Sequence, residues 1–253
     1  MSRPGSSRIA ATNLGGGGGF RVLEGKVAIV TGGSRGIGAA TCENLASKGA
    51  SLIINYTSDS STEKAEKLAQ QLQTTYGVKC LPVQADMGSE NGPAHIVDRA
   101  VNNFSHPKSR KFQIDIVINN AGVASKMLLE DCTSEEFARL YNVNVRGPLL
   151  LMKAVQPHLP TDRSGRVVNV SSVSAALGFH EDAMYGGTKA ALEAMTRTPG
   201  VDSKEFVDNA SFAGGRPAYE DEVAGVIAML CTPDSGWCTG STICANGGFK
   251  FSN

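Results

Sequence analysis

The chain has no charge imbalance. Its 24 lysines and arginines are matched by 24 aspartates and glutamates, so it offers no broad basic field to nucleic acid or an anionic membrane surface. None of its six cysteines (Cys42, Cys80, Cys132, Cys231, Cys238 and Cys244) forms a C-x-x-C pair, and its four histidines are scattered. This spacing argues against a zinc site or a disulfide framework and predicts ordinary buried thiols in a reducing compartment. No run of 18 apolar residues occurs, and the N-terminal region lacks the apolar core of a secretory signal. Internal repeats are also lacking. The expectation is a cytosolic protein whose partners are small molecules.

A length of 253 residues suits one α/β domain with a substantial core. Residues 1–23, rich in Ser, Gly and Arg, read as a flexible tail; the glycines at 15–19 have no strand before them and no helix after them. From Lys26, β-branched apolar runs alternate with helical patterns, which predicts a Rossmann-like, doubly wound parallel sheet. The strands are expected at 27–31, 52–55, 80–84, 114–119 and 167–170. Helices are expected at 37–48, from about Ser61 under a capping box (Ser60-Ser61-Thr62-Glu63), and from Thr133 to His158 with a break. Two more are expected at 185–196 and 219–230. The basic stretch 106–111 reads as an exposed loop extension.

Two motifs carry the chemistry. Thr31-Gly32-Gly33-Ser34-Arg35-Gly36-Ile37-Gly38 follows the first strand and opens the first helix, where glycines let backbone N–H groups and a helix N-terminus approach a pyrophosphate. Tyr185 and Lys189 stand at i and i+4, so on a helix they share one face, with the ammonium able to lower the pKa of the phenol. Ser171 and Ser172 end the fifth strand, and alternation along a strand turns only one of them inward.

With Asn119-Asn120-Ala121-Gly122, these motifs stand in the order found in the short-chain dehydrogenase/reductase family, and the chain resembles its 3-oxoacyl-reductase-like and polyketide-ketoreductase-like members. The resemblance implies Ser172, Tyr185, Lys189 and Asn144 as the catalytic set. Tyr185 would be the general acid, Ser172 a donor to the substrate oxygen, and Lys189 a ligand of the nicotinamide ribose. Asn144 would kink its helix and hold a relay water, with Asn142 as its neighbour and rival.

The cofactor-binding residues are expected to be Gly32, Ser34, Arg35, Ile37, Gly38, Thr57, Asp86, Asn120, Tyr185 and Lys189. Asp86 reads either as an adenine contact or as a turn residue. No carboxylate precedes Asp59 in the stretch where an NAD site places one, whereas Arg35 offers a guanidinium suited to a 2′-phosphate. NADP(H) is therefore expected, with Arg35 as a solvated loop residue the competing reading.

The resemblance also implies a strand after the Tyr185 helix. Only nine residues, 190–198, separate Lys189 from Pro199-Gly200, too few for the rest of that helix and a strand. The chain is thus expected to lack a segment between Thr198 and Pro199, to have no strand from Thr196 to Tyr219, and to be one strand short of the family's seven. Residues 241–245 would then pair with the fifth strand or lie unpaired.

The substrate pocket is expected along 123–126, 177–180 and the stretch after Gly200, with Phe179, His180 and Phe206 suiting an aromatic or polyketide-like carbonyl. Arg163 and Arg166 read as an acyl-carrier contact or as surface charge. The resulting expectation is NADPH-dependent reduction of a small-molecule ketone by a homodimer or homotetramer. The alternatives are a truncated, non-catalytic product and an NADPH-sensing regulator.

Overall fold

The structure, a computed structural model, describes residues 21–105, 112–162, 164–197 and 219–235, together with Cys238, Ser241 and Ile243. Five short strands rich in Val and Ile form one parallel sheet: β1 (Val27–Val30), β2 (Ser51–Tyr56), β3 (Cys80–Gln84), β4 (Ile116–Asn119) and β5 (Arg166–Asn169), in the order β3-β2-β1-β4-β5. Val30 pairs with Ile54 on one side and with Ile118 on the other, and Ile118 pairs with Val168. The order reverses between β1 and β4, which opens a crevice at the carboxyl ends of the strands.

Alternation of side chains along the strands feeds two cores. On one face Val30, Leu52, Ile54 and Ile118 pack against α1 (Gly36–Ser47), α2 (Thr62–Tyr76) and α7 (Glu220–Leu230). On the other, Ile29, Ile53 and Val117 pack against α3 (Gly92–Phe104) and α5 (Gly147–Val155). The remaining helices are α4 (Ser134–Tyr141) and α6 (Ala183–Arg197). β3 falls on its expected residues and the other strand limits shift by one or two. α3 is not among the helices the sequence patterns predict, although Pro93 opens it and Ile96, Val97 and Ala100 bury one face.

Three expectations are corrected. The ordered fold begins before Glu24: Leu23 is buried, its N–H donates to the Lys48 carbonyl at 2.9 Å, and Arg21 bonds the carbonyl of Tyr76. The capping box at Ser61 does not form, because Ser61 has αR backbone (φ −101°, ψ −6°) and its hydroxyl pairs with Ser58, while a 3₁₀ turn at Asp59–Ser61 leads into α2. Thr133, with extended backbone, does cap α4, accepting from the N–H of Glu136 at 3.1 Å. Of the thiols, Cys42, Cys80 and Cys231 are buried, but Cys238 is exposed. The expected break in the long helix is a π-helical segment, Asn142–Arg146, between α4 and α5.

β5 is the outermost strand of the sheet among the described residues, and Val167 on it is 39% exposed. The tail at 1–20, the basic stretch 106–111 and most of both the segment expected to be strand-free and residues 241–245 lie outside the described residues. Among those described, no helix is long and apolar enough to cross a membrane.

Candidate active site

The glycine loop is built from β1 outward. Gly32 (φ +61°) and Gly36 (φ +53°) adopt left-handed backbone that a Cβ would strain. A Cβ on Gly38 would lie 2.2 Å from the Gly32 carbonyl, so the first turn of α1 folds directly onto the loop. Asn120, at the end of β4, donates to the carbonyls of Thr31 (2.8 Å) and Gly32 (3.2 Å). Its amide is thus spent on holding the loop. Thr31 answers from the other side: its hydroxyl accepts from the N–H groups of Asn120 and Ala121, both at 3.0 Å. Buried Asn55 accepts from the N–H of Gly32 at 3.3 Å and donates to the Ala85 carbonyl at 3.0 Å, linking the ends of β1, β2 and β3. The roles of Thr31 and Asn55 were missed in the sequence, where no spacing rule marks a polar residue whose partners are distant main-chain groups.

The second half of the site lies where α6 crosses the end of β5. Ser171 and Ser172 do diverge: Ser171 donates to Glu193 of α6 at 2.7 Å, while the Ser172 hydroxyl accepts from the N–H of Ser174 at 3.2 Å, donates to the Ser174 hydroxyl at 3.3 Å and lies near enough to Tyr185 to influence its phenol. Lys189, 3% exposed, donates to the Val170 carbonyl at 2.8 Å and lies 5.8 Å from the centre of the Tyr185 ring. Asn144, buried in the π-helical segment, accepts from the N–H of Val123 (2.9 Å) and donates to the Val123 carbonyl (2.8 Å) and to Thr188 (3.0 Å). Thr188, whose part was also missed, donates to the Tyr185 carbonyl at 2.7 Å, so Asn144 braces the turn that joins Tyr185 to Lys189.

Burial dominates the electrostatics. Desolvation lowers the Lys189 pKa from 10.5 to about 8. Tyr185 moves upward, because burial outweighs the lowering pull of the nearby Ser172 hydroxyl and Asp182 adds negative potential. The expected downward pull of Lys189 on the phenol is therefore not what this chain alone produces.

The other expected contacts line the same edge of the sheet. Ser34 and Ile37 are half-buried in the loop, and Arg35 is exposed at the N-cap of α1. Thr57 is exposed beyond β2, and its hydroxyl reaches the Ala85 carbonyl at 3.5 Å. Asp86 closes a turn by accepting from the N–H of Gly88 at 2.8 Å, so its turn role is realised. Gly122 leaves the space before Lys189 and Asn144 open: a Cβ there would stand 3.4 Å from Nζ and 3.5 Å from Oδ1. This glycine cradle, the α1 N-terminus and the Lys189 ammonium beyond Gly122 fit a dinucleotide. Phe179 and His180 are exposed beside a groove of about 350 Å³ that Phe179 lines. Arg166 opens β5 at the end remote from Ser172, which removes it from the site entrance. Phe206 and Arg163 lie outside the described residues.

Comparison with known proteins agrees with this geometry. The short chain dehydrogenase family model matches residues 26–207. L-xylulose reductase of Aspergillus niger is 43% identical, over 91% of this chain and 99% of its own. That alignment spans 296 positions against 253 residues, so it contains gaps in this chain. Among solved structures, a blue fluorescent protein from a metagenomic library in complex with NADPH has 32% identity, a TM-score of 0.77 and coverage of 90% of this chain and 98% of its own. The landomycin C-6 ketoreductase LanV, with bound NADP and rabelomycin, has 29% identity, a TM-score of 0.78 and coverage of 89% and 96%. The chain belongs to the short-chain dehydrogenase family.

Because the folded-state pKa of Lys189 lies below its unfolded value, the unfolded chain binds more protons between about pH 8 and 10.5, and stability contributed at this site rises across that window. Wild-type protein is therefore expected to gain up to about 3 kcal/mol relative to Lys189→Met as the pH rises from 7 to 10.5. Urea unfolding at the two pH values measures this; a difference independent of pH would contradict it.

Proposed function

We propose that this chain is an NADPH-dependent reductase of a small-molecule ketone. The observation that carries the reading is the convergence of Ser172, Tyr185 and Lys189 at the carboxyl edge of the sheet, on the side where the glycine loop lies. NADPH, when bound, supplies the hydride. The glycine loop and α1 N-terminus receive its pyrophosphate, Lys189 its nicotinamide ribose, and Asp86 its adenine. Arg35 and Thr57 hold the 2′-phosphate; the Arg35 guanidinium is exposed at the N-cap of α1, and its planar fork matches phosphate geometry.

Each catalytic role follows from a group's surroundings. Tyr185, its pKa raised by burial, keeps its proton at neutral pH and delivers it to the carbonyl oxygen as the carbon is reduced. Ser172 donates to the same oxygen and so stabilises the developing negative charge. Lys189 places positive charge beneath the phenol as the proton leaves. Asn144 acts through Thr188 and Val123, which keeps Lys189 and the substrate wall in register.

Two ketone chemistries are in contention. A fused aromatic or polyketide ketone suits the apolar wall at Leu177 and Phe179. A ketose is favoured by the 43% identity to L-xylulose reductase.

NADPH is expected to bind at least tenfold more tightly than NADH, a difference of about 1.4 kcal/mol, which is modest for a charge-assisted phosphate bond. Calorimetric titration with both nucleotides tests this, and equal dissociation constants would defeat the assignment. NADPH oxidation should then be screened over ketoses and aromatic ketones. Tyr185→Phe is expected to lose nearly all turnover while binding NADPH as wild type does; substantial turnover would remove Tyr185 from the role of acid. A wild-type chain that binds NADPH but reduces no ketone would favour the non-catalytic alternative.

A further inference from the structure

Among the described residues Glu181 is the only non-glycine residue with positive φ, at +66°. Its side chain does not explain that conformation: it is exposed, and its carboxylate comes only within 3.9 Å of the imidazole of His180, itself 82% exposed. The main chain does. Turning into the left-handed region aims the Glu181 carbonyl at residues 123–128, where it accepts from the N–H of Met127 at 3.0 Å. Left-handed backbone disfavours a residue with a Cβ and persists only where its surroundings over-determine it.

On the ketone-reductase reading, the two segments joined by this bond face each other across the substrate cleft. The first leaves β4 and is held at its start by Asn144, which bonds both main-chain groups of Val123. Midway, Arg139 of α4 donates to the Ala124 carbonyl at 3.5 Å. At its far end Glu181 accepts from Met127, and the next residue, Leu128, is held only by a local turn, its carbonyl accepting from the N–H of Asp131 at 3.1 Å and from the Cys132 thiol at 3.4 Å. The second segment leaves β5 at Ser172 and enters α6, where Asp182 accepts from the N–H of Gly186 at 2.8 Å and Tyr185 follows within one turn.

We propose that Glu181 is a positioning residue: its left-handed backbone clasps the two walls together through Met127 and thereby sets the width of the substrate cleft and the entry angle of the helix that carries Tyr185. The proposal rests on the ketone-reductase reading for its kinetic consequence, but the clasp itself is testable without turnover. The carbonyl acts here, so the side chain matters only through the backbone angles it permits. A β-branched residue resists positive φ, whereas glycine adopts it freely.

Three variants separate these effects: Glu181→Val, Glu181→Gly and Glu181→Gln. Glu181→Val is expected to raise KM for the ketone at least roughly fivefold with the NADPH dissociation constant within about twofold of wild type, the factor matching one unfavourable left-handed residue. Glu181→Gly and Glu181→Gln are expected to keep the wild-type KM. In parallel, hydrogen exchange at the Met127 amide should accelerate in Glu181→Val and stay protected in Glu181→Gly. Should Glu181→Val not fold, Glu181→Ala takes its place with a smaller shift in the same direction. Unchanged Met127 exchange in the β-branched or alanine variant would overturn the clasp, as would a Glu181→Gln variant as impaired as Glu181→Val. A wild-type protein that turns over no ketone would remove the ketone reading and leave amide exchange to decide the clasp.

Discussion

The hydrogen bond from the buried Lys189 ammonium to the Val170 carbonyl is the constraint on which the site depends. It fixes α6 to the end of β5 at the point where the strand gives way to Ser171 and Ser172. The tie is repeated along the helix, because Glu193 accepts from Ser171 and Thr196 accepts from Asn169, each at 2.7 Å. Positions 189, 193 and 196 lie on one face of α6, so the helix meets this edge of the sheet largely through polar groups. That attachment brings the Tyr185 phenol to Ser172. It also desolvates the phenol and the ammonium together, which moves the pKa of Tyr185 up and that of Lys189 down.

The π-helical segment makes the second half of this arrangement. One extra residue per turn between α4 and α5 carries Asn144 into the interior, where it reaches both Val123 and Thr188. Asn120 and Thr31 perform the matching task at the cofactor end, tying the glycine loop to β4. The crevice at the strand-order reversal is thus shaped by side-chain-to-backbone bonds between elements far apart in sequence. The polar groups that build it have little freedom to move independently.

Much of this was legible in the sequence. The Val- and Ile-rich runs located all five described strands, since period-2 burial leaves a compositional trace, and the motif order located the glycine loop, Asn120, Ser172, Tyr185 and Lys189. Ser171 and Ser172 diverge, as alternation along a strand predicts, and the interruption near Asn144 agrees with the π segment. What escaped was set by tertiary contact. Leu23 reads as part of a Ser/Gly-rich tail until its N–H is seen on Lys48. Ser61 has capping chemistry but lacks capping backbone angles. The upward pKa of Tyr185 follows from burial, which i to i+4 spacing does not encode. Glu181 adopts its angle for a carbonyl whose partner lies 54 positions earlier.

The central claim is that packing of α6 on β5 buries Lys189 deeply enough to change its proton affinity and, through the same burial, to hold the neighbouring phenol protonated. The most direct test is an NMR titration of the Lys189 side chain in the folded protein, assigned by comparison with Lys189→Met. The account predicts a midpoint near 8, well below the ordinary lysine value of 10.5. A midpoint at 10.5 would contradict it, since the ammonium would then be solvated and the docking of α6 on Val170 could not be as described.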